Sequence, residues 1–236
     1  MIQNMKKFIF TLILIYIFSL LFTVRPVFAV SNDLGLWTPI WITQPINKRF
    51  STLLEISPRN QENVTHINQL FIRPAVEYKL NKNLSVWQGY SWDPLFLPRY
   101  KREQRIWQQI LLENYFKKFR LENRIRLEER FIQDVHGVPM RLRYRTGTWI
   151  PLDKNKIWEF VLWDEIWFNL GNHFNGPQSG IDRNWLFAGI NKKITDNVSI
   201  EGGYQLEYAN NHSPKQDLLN HIILINMYFN LPQLFR

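Results

Sequence analysis

The chain has no cysteine in 236 residues, which excludes disulfides, thiolate metal ligands and cysteine nucleophiles together. That absence fits a chain that crosses an oxidising compartment. Glycine is scarce, with ten residues against twelve prolines, so flexible linkers are few. Gly-rich phosphate loops, metal-ligand spacings, heptads and long internal repeats are missing, and no cofactor or metal is expected. Past residue 29 no stretch is apolar enough for a transmembrane helix, and helical periodicity is hard to find. The net charge of +9 comes without a long polybasic run. Its basic residues alternate within strands or sit in turns, so nucleic acid is not an expected partner.

What is present begins with a leader. Lys6 and Lys7 precede an apolar run over 8–22, followed by Arg25-Pro26 and Val27-Phe28-Ala29, the three-part plan of a secretory signal peptide cut after Ala29. A run of about fifteen residues is short of the roughly twenty needed to span a bilayer. Residues 1–29 therefore read as a signal peptide and 30–236 as a single β-domain.

That domain reads as strands over 34–43, 50–58, 68–80, 84–92, 103–116, 120–132, 140–152, 157–170, 183–194, 198–209 and 219–230. Most reach the roughly nine to eleven residues that a tilted strand needs to cross a bilayer. Short polar turns such as Asn81-Lys82-Asn83 alternate with longer loops over 60–66, 93–102, 133–139, 171–182 and 210–217. Two unlike faces run through them: Leu70, Ile72, Val76 and Tyr78 oppose Gln69, Arg73, Glu77 and Lys79, and Ile200, Tyr204 and Leu206 oppose Glu201, Gln205 and Glu207. Strand 157–170 separates less cleanly, with Asp164 interrupting one face and Val161, Trp163 and Trp167 joining Glu165 on the other. Aromatic residues make up 15% of the chain, and Trp92, Tyr100, Trp149, Trp158, Trp185 and Tyr208 lie toward strand ends, where rings suit a headgroup layer.

These features predict an all-β, antiparallel up-and-down transmembrane β-barrel of the cell outer membrane, in a Gram-negative bacterial envelope. Its expected partners are outer-membrane lipid, lipopolysaccharide and the barrel assembly machinery. Ten strands are expected, with twelve as the alternative, because an even number is the bacterial rule. The segment 34–43, broken by Pro39, would then be a partial or overlapping strand or a lumen insert. A soluble periplasmic β-protein is the competing architecture.

The charged face concentrates over 103–145, where Glu122, Arg124, Arg126, Glu128 and Arg130 occupy alternate positions. The candidate lumen anion site comprises Arg124, Arg126, Arg130, Arg141, Arg143 and Arg145, with Glu122, Glu128, Glu159 and Glu165 as acidic partners. Its structural reading is a mutually neutralising network; its functional reading is an anion-selective constriction or a carboxylate or phosphate site. Counting across the turns puts Arg143 opposite Glu165, Arg145 near Trp163, and Glu113 near Glu122 or Arg124. No catalytic residues are assigned. An outer-membrane lipid or lipopolysaccharide hydrolase is the alternative function, resting on His66, His136, His173 and His212 in predicted loops with Ser179 and Ser213.

Leu36-Trp37-Thr38, the run from Glu77-Tyr78-Lys79 to Asn83, Arg102-Glu103-Gln104-Arg105-Ile106-Trp107-Gln108, Arg120-Leu121-Glu122-Asn123-Arg124 and Arg141-Leu142-Arg143-Tyr144-Arg145 together resemble the bacterial family of domain of unknown function 2490. The resemblance covers nearly all of the chain after the leader. It implies an outer-membrane β-barrel and carries over no catalytic residues.

Overall fold

The computed structural model describes residues 31–96, 99–211 and 217–235. The expected leader and its cut after Ala29 lie outside them, as do His212 and Ser213. Among the described residues twelve strands occur: β1 (Ser31–Trp37), β2 (Ile40–Pro45), β3 (Phe50–Gln61), β4 (His66–Lys79), β5 (Leu84–Trp92), β6 (Glu103–Tyr115), β7 (Arg120–Ile132), β8 (Met140–Pro151), β9 (Trp158–Asn169), β10 (Gly180–Lys193), β11 (Val198–Ala209) and β12 (Leu218–Asn230). Alternating, β-branched and aromatic sequence makes them strands, and Asn- and Asp-containing turns stop them. Asn81, for example, accepts the N–H groups of Asn83 and Leu84 at 2.8 and 3.0 Å.

From β3 to β12 every strand pairs antiparallel with its neighbour in sequence, and the sheet closes on itself through β1 and β2. Those two are one strand in two pieces. Trp37 pairs with Leu224 and Ile40 with Met227 on β12, while Trp37 pairs with Arg59 and Ile40 with Ile56 on β3, so the register is unbroken across the gap. Pro39 interrupts it because proline has no ladder N–H to give; its carbonyl still accepts from the Met227 N–H at 2.9 Å. The segment expected to be partial or inserted is thus barrel wall. Twelve strands fill eleven wall positions, within the expected ten to twelve. An odd number of up-and-down positions makes first and last run the same way, so the seam to β12 is parallel.

The packing is inverted relative to a soluble barrel. In β4, Phe71, Arg73, Ala75 and Glu77 are buried while Pro74 and Val76 between them are exposed. In β7, Glu122, Arg124, Arg126, Glu128 and Arg130 are buried while Ile125 and Phe131 are exposed. The lumen also holds Trp37, Trp149, Trp163, Trp167, Trp185, Phe187, Ile222 and Leu224. Trp149 and Trp185, expected at a headgroup layer, are therefore interior residues; strand parity puts Trp149 on the face of Arg143 and Arg145. Trp158 and Tyr100 do lie exposed.

Lumen indoles need room, and glycine supplies it. Gly89 on β5 stands opposite Trp107 on β6, and the indole crosses the space that a Cβ at position 89 would take. Short turns cluster at one end of the barrel. The connections after β3, β5, β7, β9 and β11 cluster at the other, and there a cavity opens between the walls.

Candidate functional site

The charged ladder is buried on the inner face of the barrel. Arg141 donates from Nε at 2.9 Å and Nη2 at 2.5 Å to Glu128, and from Nη1 at 3.1 Å to Asp182. Arg143 joins Glu165 through Nε at 2.7 Å and Glu128 through Nη1 at 2.8 Å. Arg124 reaches the same Glu165 at 2.7 Å, across β8 from β7 to β9. Arg130 grips Glu103 at 2.7 and 3.2 Å, and Arg145 bonds Glu122. Arg126 is the exception among the six candidates. It donates twice to the Gln109 side chain, at 3.0 and 2.7 Å, and lies 4.0 Å over the Trp107 ring; Glu128 stands 3.9 Å away. Three of the four expected acidic partners, Glu122, Glu128 and Glu165, sit in this network. Glu159 instead accepts from Asn191 at 2.9 Å.

The expected registers shift in one hairpin. Arg143 pairs with Trp167 and Arg145 with Glu165, two positions from the count, because the β8 to β9 hairpin closes at Leu152 N–H to Trp158 O, 2.8 Å. A two-residue shift preserves the face, and Arg143 recovers Glu165 along the diagonal. In the β6 to β7 hairpin Glu113 pairs with Glu122. Arg120 separates the two carboxylates, 2.6 Å from one and 3.7 Å from the other.

Guanidinium and indole planes alternate through the lumen. Arg141 and Arg143 lie 4.2 and 3.9 Å from the Trp167 ring, an arrangement in which the planar cation keeps its edge donors free for carboxylates.

At the long-loop end lies a cavity of ≈ 290 Å³ whose wall includes Arg59, Lys101, Arg105, Arg130, Arg141 and Arg183. Four of these cations are paired. Arg105 meets Asp93 at 3.0 Å and Glu103 at 2.6 Å, and Arg183 meets Glu207 at 3.0 Å, while Arg130 and Arg141 hold the carboxylates already described. Arg59 has no such partner. Its guanidinium lies between the rings of Trp37 at 3.7 Å and Phe71 at 3.9 Å, with Nε bonded to nothing. The strand expected to end at 58 continues to Gln61, which makes Arg59, outside every strand expected from the sequence, a lumen residue.

Among the described residues no hydrogen bond joins a serine of the hydrolase alternative to one of its histidines. His173 Nδ1 lies 3.1 Å from the His136 carbonyl, and Ser179 gives its N–H to Asn172 at 2.7 Å. His66 starts β4 and touches Thr65 Oγ1 at 2.8 Å and Glu62 at 3.5 Å, both through Nδ1. A proton relay needs the nucleophile and the orienting acid on opposite ring nitrogens.

An uncharacterised protein of Methylorubrum extorquens is 28% identical over 180 residues, which cover 74% of this chain and 78% of the relative. No solved structure matches. The family model described as "Protein of unknown function (DUF2490)" matches residues 34–217, from within β1 to the residue before β12, and the chain belongs to that family.

Proposed function

We propose that the protein is an outer-membrane β-barrel whose lumen is closed at mid-height by the Arg, Glu and Trp network, so that it serves as a structural or binding component and not as an open diffusion pore. The observation that carries this reading is the inversion of the wall. Ionised side chains are buried inside, while Ile106, Ile110, Ile125, Ile200, Tyr204 and Ile223 stand exposed on the outside. Such a wall is stable where its outer face meets hydrocarbon. Strands of nine to fourteen residues between β3 and β12 match the roughly nine to eleven that a tilted crossing needs. Outer-membrane lipid and lipopolysaccharide are then its surroundings, and the barrel assembly machinery its route into them.

The plug supports a structural role for the six-arginine cluster. Five of the six spend their donors on carboxylates within the lumen, which leaves little charge to select passing anions. The test is cell fractionation with a gel run on boiled and unboiled samples. The expected result is a folded species of altered mobility in the outer-membrane fraction, with no large steady conductance in planar bilayers. Recovery as a soluble periplasmic protein would overturn the reading.

A further inference from the structure

We propose that the cavity at the long-loop end is a binding site for a small acidic sugar, with Arg59 and Lys101 receiving its carboxylate or phosphate. The inference concerns the barrel itself and holds whether or not the barrel resides in the outer membrane. It starts from charge accounting within one cavity. Six of the lining side chains are Arg or Lys, and three, Asp93, Glu103 and Glu207, are acidic. Asp182, behind the lining, is held by Arg141 at 3.1 Å and Arg183 at 3.7 Å. Once each carboxylate is matched with its ion-pair partners, the two cations left over are Arg59 and Lys101.

Arg59 is the stronger element. It is 6% exposed, and burying a guanidinium without an acceptor is costly. Its two faces are covered by Trp37 and Phe71, with Trp185 at 5.1 Å from the guanidinium carbon. Stacking offsets only part of the cost of burial. It also holds the plane still at the lining of the cavity, which Arg59 shares with a smaller space of ≈ 70 Å³ beside Arg124, Arg143 and Trp149. That is how a preorganised oxyanion receptor is built. Arg124, Arg141, Arg143 and Arg145 differ in this respect, since their edges already meet Glu122, Glu128 or Glu165, and Arg126 spends its donors on Gln109.

The rest of the wall narrows the ligand. Gln61 and Gln69 bring amides that both donate and accept, matching hydroxyl groups, while Asn220 keeps its side-chain carbonyl after donating to Glu207 at 2.8 Å. A cavity of ≈ 290 Å³ lies at the small end of the roughly 300–1,000 Å³ seen for ligand sites, which suits one sugar unit and not a polymer. A carboxylate and a phosphate share the recognising chemistry, and a uronic acid or a sugar phosphate would supply it.

The test is calorimetric titration of the refolded, detergent-solubilised barrel, in a buffer free of oxyanions, with glucuronate, glucose 6-phosphate, inorganic phosphate and glucose. The expected result is saturable binding of at least one sugar acid, about tenfold or more tighter than glucose or inorganic phosphate, and weakened by added salt. Arg59→Met should lower that affinity about tenfold or more while the barrel keeps its unboiled mobility and its thermal stability stays level or rises. Lys101→Met, on the loop before β6, should lower it several-fold, and Lys82→Ala at the opposite rim should leave it unchanged. If Arg59→Met fails to fold, Lys101→Met alone decides. No saturable binding of either sugar acid, equal binding of glucose, or affinity indifferent to both variants would overturn the proposal; none of these outcomes bears on where the barrel resides, which fractionation decides.

Discussion

Arg143 donates to Glu165 at 2.7 Å although its backbone partner on β9 is Trp167. The guanidinium crosses the ring of that partner, 3.9 Å from its centre, and bonds Glu128 with its other arm. All three charged side chains are almost fully buried. Arg143→Ala should therefore leave two carboxylates short of a donor and cost on the order of 3 kcal/mol, read as a lower unfolding midpoint in urea or a lower temperature of conversion on an unboiled gel. Unchanged stability together with altered anion conductance would instead favour the constriction reading of the same residues.

Asp164 lies on the outward face of β9, among Leu162 and Ile166, yet is only 5% exposed. Its partner is Asn184 on β10, whose side-chain amide donates to it at 3.0 Å. Removing only the donor, in Asn184→Leu, strands an acid in an apolar wall and should cost about 1–3 kcal/mol. Adding Asp164→Leu should recover most of that loss, since replacing both partners removes the unmet need. A double variant weaker than Asn184→Leu alone would show that the pair contributes through something other than mutual satisfaction.

Gly89 leaves room for the Trp107 indole, which is 1% exposed and carries Arg126 on its other side. Gly89→Ala should cost about 1–3 kcal/mol by overpacking. In a Trp107→Leu background the same substitution should cost markedly less. Equal costs in the two backgrounds, measured by unfolding, would rule out steric coupling.

The parallel seam places Ser31 beside Leu218, at the long-loop end, whereas Asn230 ends β12 at the short-turn end. In the proposed outer-membrane setting, an epitope inserted immediately before Ser31 should react on the same side of the membrane as one inserted in the loop over 133–139. One following Phe235 should react on the opposite side. Labelling of intact and permeabilised cells separates these outcomes, and same-side labelling of both chain ends would contradict an odd number of wall positions.

Much of this architecture is legible in the sequence. Alternation over 103–145 assigns Arg124, Arg126, Glu128, Arg141 and Arg143 to one face, because the side-chain period of a strand is two whatever its neighbours are. Glu113 and Glu122 meet as counting across the Lys117-Lys118 turn allows. Asp164 is visible as an anomaly in an apolar face, but its partner is not: Asn184 lies on the next strand, beyond a loop whose length does not determine the register.

The sequence by itself determined the strand count to within two, which residues share a face, and that Arg and Glu would be enclosed together. Only the tertiary structure decided the rest. Closure turned 34–43 into wall, sent Trp149 and Trp185 inward among the arginines, let Arg124 reach Glu165 across an intervening strand, and left Arg59 between two rings without a carboxylate. The physical reason is common to all four. Facing is a local property set by backbone geometry, whereas pairing across a lumen depends on how many strands close the ring and in what register, a balance summed over the whole chain.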